Sequence, residues 1–153
     1  TSAASDVYKR QPVEVHDART LQWVRTHKLC INASMNTTGV LAGGRSNPDM
    51  VRDPLLRAHI EACMNEVMDA APPIFGCSLP FASPERILQS TERNTSSSKS
   101  SMVQDWEAGR ALELDAILGN AIRIAEAHGA HMPRLLSRYA LLQSAVAMRD
   151  AAT

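Results

Sequence analysis

The chain has 153 residues, enough for one domain with a substantial hydrophobic core. Its 16 basic and 16 acidic residues cancel and are interspersed, so we expect neither a nucleic-acid partner nor an anionic membrane partner. No apolar run approaches the roughly 20 residues that cross a bilayer, and no secretory leader is recognised, so we expect no membrane association.

The opening residues 1–11, TSAASDVYKRQ, show no apolar periodicity. We therefore expect a disordered or non-native lead-in there, followed by a single helical domain over residues 12–153.

The cysteines favour a reducing compartment. Cys30, Cys63 and Cys77 are odd in number and have apolar neighbours, which is typical of reduced core cysteines. We therefore expect a cytoplasmic protein. We predict no metal site, because there is no CxxC pair and because His128 and His131 flank a predicted helix end.

The first half of the chain predicts two long helices. Apolar positions from about residue 17 to residue 41 suit one helix that ends at Gly43, and Asn47 with the following proline predicts a turn. Asp53 before a proline is a capping carboxylate at a helix start. The apolar stripe that follows begins at Leu55, and we expect its helix to stop before Pro72.

The second half predicts three further helices, and strand signals are almost absent throughout. Ser83 before a proline predicts the start of a short helix, and the polar tract at 91–101, TERNTSSSKSS, has the composition of a linker. Apolar spacing then predicts a helix from about 112 to 128 and a last helix from about 133 to 151, with Leu136 among its inward residues.

A first polar signature lies inside the first predicted helix. Lys28, Asn32 and Asn36 are spaced four apart in an apolar stretch, so an ammonium and two carboxamides share one helix face. Asparagine is a poor residue for a helix interior, and a binding site would explain that cost. The alternative is an ordinary solvated face.

A second polar signature, SSMVQDWEAGRALELD, covers residues 100–115. It places Ser101 and Asp105 one helical turn apart, followed by a glycine break and then Glu113. With the first signature, these groups could hold and protonate a small acidic substrate. As alternatives, Ser101, Asp105 and Asp115 could be helix caps, and Glu113 a surface charge. The chain has neither GxGxxG after a strand nor GxxxxGK[ST], so we do not expect a complete nucleotide-dependent enzyme.

The two signatures resemble a known family. Lys28 to Asn36 match the pattern K-L-x-x-N-x-x-x-N, and Ser101 to Asp115 match S-M-x-Q-D-x-x-x-G-R-x-x-E-x-D without a gap. From about residue 21 to residue 149, the chain resembles the C-terminal helical domain of ketopantoate reductase (2-dehydropantoate 2-reductase). The resemblance implies an all-α, multi-helix domain of the 6-phosphogluconate-dehydrogenase C-terminal-like type, without the N-terminal Rossmann domain.

The resemblance also implies an activity. The family reduces 2-dehydropantoate, a small 2-keto acid, to pantoate with NADPH, in the pathway to pantothenate and coenzyme A. The Rossmann domain holds most of the NADPH, and homodimers form through the helical domain. The isolated chain is therefore expected to be inactive.

Residue by residue, the resemblance makes Lys28 the general acid and Glu113 the carboxylate that works with it and contacts the cofactor. It makes Ser101 a ligand of the substrate carboxylate, and Asn32 and Asn36 residues that bind the substrate hydroxyl or order the site. The chemistry agrees, because hydride transfer to a ketone builds negative charge on oxygen, which an ammonium can stabilise and protonate. A nearby carboxylate favours the charged form of that lysine.

The chain departs from the family at two further positions. Ser98, also a predicted substrate-binding residue, stands where asparagine is common, and Ser46, beside Asn47, stands at another such position. These departures leave open a reductase for another 2-keto acid. A non-catalytic helical module that dimerises remains a further alternative.

Overall fold

Seven helices and no strand are present in residues 18–79 and 83–153, the part of the chain that the computed structural model describes. The all-α prediction is confirmed; the predicted lead-in lies outside the described residues. The helices are α1 (Ala18–Ile31, a π-helical turn Asn32–Asn36, and Thr37–Leu41), α2 (Asn47–Arg52), α3 (Pro54–Phe75), α4 (Pro84–Glu92), α5 (Ser101–Glu107), α6 (a π-helical turn Asp115–Gly119 and Asn120–Ala127) and α7 (Pro133–Ala151). None of the described helices is long and apolar enough to cross a bilayer.

The chain reverses after α1 through Gly43 and Gly44, whose φ angles of 84° and 86° favour glycine. The turn predicted at Asn47 is wrong, because a short helix, α2, begins there. Ser46 caps it, since its Oγ accepts a hydrogen bond from the backbone N–H of Asp49 at 3.3 Å. A proline in the first helical turn suits a helix start as well as a turn, and this ambiguity explains the error.

Helix α3 starts where predicted. The carboxylate of Asp53 accepts hydrogen bonds from the next two free backbone N–H groups, at 3.0 and 3.2 Å. The predicted stop before Pro72 is wrong, because α3 continues to Phe75 and ends at Gly76, which has a φ of 76°. Pro72 and Pro73 are exposed in the last turn, where carbonyl groups that lose a helical donor can bond to water.

The core forms around α3, which contacts α1, α2, α4, α6 and α7. The largest side chains that are fully buried come from six of the seven helices: Met35, Met50, Ile60, Met64, Leu88, Leu118, Leu135 and Leu142. Leu55 and Leu136 were predicted to face the core but lie outside it, since Leu55 is 80% exposed and Leu136 is 47% exposed. Both sit in the first turn of their helices, where an apolar stripe has only just begun.

Two buried groups tie α3 to its neighbours. Cys30 and Cys63 are reduced and buried in the core, as predicted, whereas Cys77 is reduced but only partly buried. Sγ of Cys30 donates a hydrogen bond to the carbonyl oxygen of Met64 in α3 at 3.6 Å, and burial raises the pKa of Cys30 to about 12. Glu66 is 8% exposed and accepts hydrogen bonds from the backbone N–H groups of Arg134 at 2.9 Å and Leu135 at 3.1 Å. Glu66 therefore caps α7 from another helix, at the end where the helix dipole favours a negative charge.

Candidate active site

The two polar signatures meet at one cleft of about 250 Å³. One wall is the π-helical turn of α1, and the other combines α5 with the segment that leads into α6. The lining residues are Asn32, Asn36, Ser101, Met102, Asp105, Ala111, Leu112, Glu113 and Ile117. The structure thus brings together four of the predicted site residues, Asn32, Asn36, Ser101 and Glu113, which lie up to 81 positions apart in the sequence.

The wall from α1 carries two carboxamides. Asn36 donates a hydrogen bond from Nδ2 to Oδ1 of Asn32 at 3.3 Å. This bond orients the pair and leaves an oxygen on Asn36 and an amide group on Asn32 for a ligand. Both belong to a π-helical turn, a geometry that is rare and often found at functional sites.

The opposite wall carries a hydroxyl and two carboxylates. Ser100 caps α5 by accepting a hydrogen bond from the backbone N–H of Val103 at 3.3 Å, so the cap is not Ser101, whose side chain is exposed. Asp105 accepts a hydrogen bond from Arg110 at 2.7 Å. Glu113 is exposed at the cleft, and no described residue forms an ion pair with it.

Lys28 lies outside the lining of this cleft. It is exposed on α1, one turn before Asn32, and its side chain makes no hydrogen bond or ion pair with any residue that the structure describes. In particular, Lys28 and Glu113 do not form an ion pair in this arrangement. The structure therefore leaves the ammonium exposed on α1, four positions before Asn32 and outside the cleft lining.

Ser98 lies in a second cleft, of about 490 Å³. His27, Ile31 and Met35 line its α1 side, and Lys99 lines it from the polar tract, where it forms an ion pair with Glu107 at 2.5 Å. The tract predicted to be a linker is indeed non-helical from residue 94 to residue 100, but it lines this cleft together with α1.

The structure also separates Ser46 from Asn47. Ser46 is buried at the cap of α2, whereas Asn47 lines the second cleft. Oδ1 of Asn47 is buried and receives no hydrogen bond from the described residues. Asn47 is therefore better placed than Ser46 to meet a ligand, and sequence alignment could not decide between two adjacent residues.

A buried arginine behind the site was missed from the sequence. Arg138 of α7 is 3% exposed and reaches the π-helical turn of α1. The available signal was its position between Leu135 and Leu142 on the apolar face of α7, where a charged residue is unusual.

The second π-helical turn is fixed to α7 by an exposed polar pair. The hydroxyl of Tyr139 donates a hydrogen bond to Oδ1 of Asp115, which lowers the pKa of Asp115 and raises the pKa of Tyr139. Asp115 is in the turn itself and not at its cap, and it does not line the cleft.

No cluster of three or more histidine, cysteine, aspartate or glutamate side chains that could hold a metal occurs in residues 18–79 and 83–153.

Residues 20–146 match the family described as "Ketopantoate reductase PanE/ApbA C terminal". The chain belongs to the ketopantoate reductase family. The match covers α2 to α6 in full and most of α1 and α7, and it includes both polar signatures. A search of curated proteins finds no match.

Solved structures agree with the assignment to ketopantoate reductase. The 2-dehydropantoate 2-reductase of Methylococcus capsulatus is 31% identical over 84% of this chain and 40% of its own, with a TM-score of 0.76. The 2-dehydropantoate 2-reductase of Geobacter metallireducens GS-15 is 26% identical over 82% of this chain and 41% of its own, with a TM-score of 0.73. A dimeric ketopantoate reductase of Staphylococcus aureus is 19% identical over 97% of this chain and 53% of its own, with a TM-score of 0.77, and shows the shared fold. This chain spans about two fifths of the length of the first two.

Proposed function

We propose that this chain supplies the substrate-binding and proton-donating half of an NADPH-dependent ketopantoate reductase. One observation carries the proposal: Asn32 and Asn36 share a single cleft with Ser101 and Glu113, although α1 and α5 are far apart in the sequence. A cleft with carboxamides, a hydroxyl and a carboxylate, and with an exposed lysine four positions before Asn32 on the same helix, suits a small hydroxy or keto acid.

The proposed mechanism assigns a proton donor and a set of ligands. NADPH, when bound, supplies the hydride that reduces the ketone. Lys28 stabilises the charge that develops on the ketone oxygen and delivers the proton to it. Ser101 binds the substrate carboxylate, and the carboxamides of Asn32 and Asn36 bind its hydroxyl group.

Glu113 is proposed to keep Lys28 protonated and to contact the cofactor. The two side chains are not paired in this structure, so binding of substrate and cofactor must draw them together. The described residues hold no glycine-rich loop for phosphates, and we therefore propose that a Rossmann domain elsewhere in the full-length protein binds most of the NADPH.

The direct test is an assay of NADPH oxidation with 2-dehydropantoate, on the full-length protein that contains this chain. Lys28→Ala should lower kcat by about 10²- to 10⁴-fold, the usual contribution of a positioned general acid. Arg25→Ala, which removes another exposed cation from α1, is the control and should leave kcat unchanged. A Lys28→Ala enzyme as active as the control would exclude the proposed role.

A second test asks whether this chain is active without a cofactor-binding domain. The chain of 153 residues alone should show no NADPH oxidation; turnover by the purified chain would contradict the proposed need for a cofactor domain. We also propose a homodimer, which sedimentation of the full-length protein can check.

The identity of the keto acid is the least constrained part of the proposal. Ser98 and Asn47 stand in the second cleft, at or beside positions where the family commonly has asparagine. A related branched 2-keto acid is therefore the second candidate. A panel of 2-keto acids decides between them, because the preferred substrate has the highest kcat/KM.

A further inference from the structure

The π-helical turn that carries Asn32 and Asn36 rests on a buried cation. Arg138 projects from α7 onto the turn, which lies about one hundred positions earlier in the sequence, and no described carboxylate lies within 4.0 Å of its guanidinium group. A buried charge without a counter-ion is costly unless hydrogen bonds satisfy it, so its partners indicate what it does.

One arm of the guanidinium bonds to the turn itself. Nη1 of Arg138 donates to the carbonyl oxygen of Ser34 at 2.6 Å, to the carbonyl oxygen of Ala33 at 3.4 Å and to Oγ1 of Thr37 at 2.9 Å. The hydroxyl groups of Thr37 and Thr38 also donate to these two carbonyls.

These side-chain donors match what a π-helical turn lacks. The turn replaces bonds between residues four apart by bonds between residues five apart, so carbonyl groups lose regular helical partners. A buried carbonyl group without a donor is destabilising. Arg138 and the two threonines supply donors at this place.

The other arm of the guanidinium is held from α3. Nη2 of Arg138 donates to Sγ of Cys63 at 3.3 Å and to Nε2 of His59. Because arginine only donates, Nε2 must accept, and His59 is therefore the neutral tautomer with its proton on Nδ1. Partial burial and the charges of Arg138 and Arg134 lower the pKa of His59, against the opposing effect of Glu66.

We propose that Arg138 is a positioning residue that holds the π-helical turn of α1 in the conformation that presents Asn32 and Asn36 to the cleft. It does not touch the substrate. Its effect on ligand binding rests on the proposed function, whereas its effect on the turn does not.

The first experiment uses NMR on this chain and needs no activity. Arg138→Met should shift the side-chain amide signals of Asn32 and Asn36 and raise amide hydrogen exchange in residues 33–38 by about tenfold or more, while α6 keeps its protection. Arg149→Met is the matched control, because Arg149 is also on α7 and donates to two carbonyl groups, those of Trp106 and Arg110, away from the turn.

Arg138→Lys covers the case in which Arg138→Met does not fold. Lysine keeps the charge but lacks the planar fork that spans the turn and α3, so the same shifts should appear in a folded protein. Unchanged Asn32 and Asn36 signals in either folded variant would overturn the proposal.

The second experiment measures kinetics in the full-length protein. Arg138→Lys should raise KM for the keto acid about tenfold, or about 1.4 kcal/mol, with little change in KM for NADPH. Added guanidinium ion should lower the raised KM of Arg138→Ala part of the way toward the wild-type value. An active enzyme in which Arg138→Lys has a normal KM overturns the positioning role, whereas an inactive wild-type enzyme refutes the proposed function and leaves the NMR result to decide.

Discussion

The carboxylate of Glu66 should be one of the most important single side chains for the stability of the fold. It is nearly buried, and it accepts hydrogen bonds from the backbone N–H groups of Arg134 and Leu135 and from Nη1 of Arg134 at 3.2 Å. Glu66→Ala removes all three bonds and leaves the N–H of the buried residue Leu135 without an acceptor.

The cost can be worked from these contacts. A hydrogen bond to a charged group contributes about 1.5–3 kcal/mol, and two backbone bonds are lost at the start of α7. The ion pair with Arg134 adds at most about 1 kcal/mol, since that side chain is half exposed. Water can reach the Arg134 N–H, so the lower part of the range applies, about 3 kcal/mol. For a domain of this size, that loss lowers Tm by about 6–12 °C.

Urea unfolding followed by circular dichroism measures the loss of unfolding free energy directly. Arg134→Met is the matched control, because it removes the side-chain ion pair and keeps the backbone cap, and it should cost less than about 1 kcal/mol. The backbone cap is not the source of the stabilisation if the unfolding free energy of Glu66→Ala is within about 1 kcal/mol of the wild-type value, or if Glu66→Ala and Arg134→Met lower it equally.

Three further predictions concern Gly39, His59 and Cys30. A Cβ on Gly39 would lie 2.8 Å from Cγ2 of Val103. Gly39→Ala should therefore lower the unfolding free energy, measured in urea, by about 1–3 kcal/mol. An unchanged unfolding free energy would contradict this close packing of α1 on α5. The pKa of His59 is lowered in the folded state, so the unfolded state binds the proton more tightly. The contribution of His59 to the free energy of unfolding should therefore be complete above about pH 6.5 and fall as the pH drops below it. His59→Gln should reduce the pH dependence of the unfolding free energy between about pH 7.5 and pH 5, and an unchanged pH dependence would refute the assignment. The raised pKa of Cys30 predicts that its thiol reacts with iodoacetamide at pH 8 only upon unfolding, which mass spectrometry of the labelled native protein can check.

Local sequence signals predicted most of the fold. Asp53 and Ser83 each precede a proline, and both mark real helix starts because the proline fixes a helical φ in the first turn; Asp53 in addition caps its helix, whereas the side chain of Ser83 makes no capping hydrogen bond. The four-residue spacing of Asn32 and Asn36 likewise places them on one side of α1 whether the turn is α-helical or π-helical. Motif spacing therefore identified residues that the structure does bring to one cleft.

What could not be predicted depends on tertiary contacts. The sequence around Asn32 does not reveal a π-helical turn, because the donors that stabilise its carbonyl groups come from α7. Ser98 and Ser101 are three residues apart, yet they line different clefts, because the chain changes from extended to helical between them. Lys28 shares the four-residue spacing of Asn32 and Asn36, yet it is outside the cleft lining.

The π-helical turn of α1 holds one residue more than a regular turn would. Five residues of such a turn rotate through about the same angle as four residues of an α-helix, so the segments on either side face the same way with or without the extra residue. Deleting one residue among 33–35 would therefore allow a regular α-helix in which Gly39 still faces Val103 and Thr37 still faces Arg138. The extra residue thus changes how Asn32 and Asn36 are placed relative to each other, and not how the C-terminal end of α1 packs on α5 and α7.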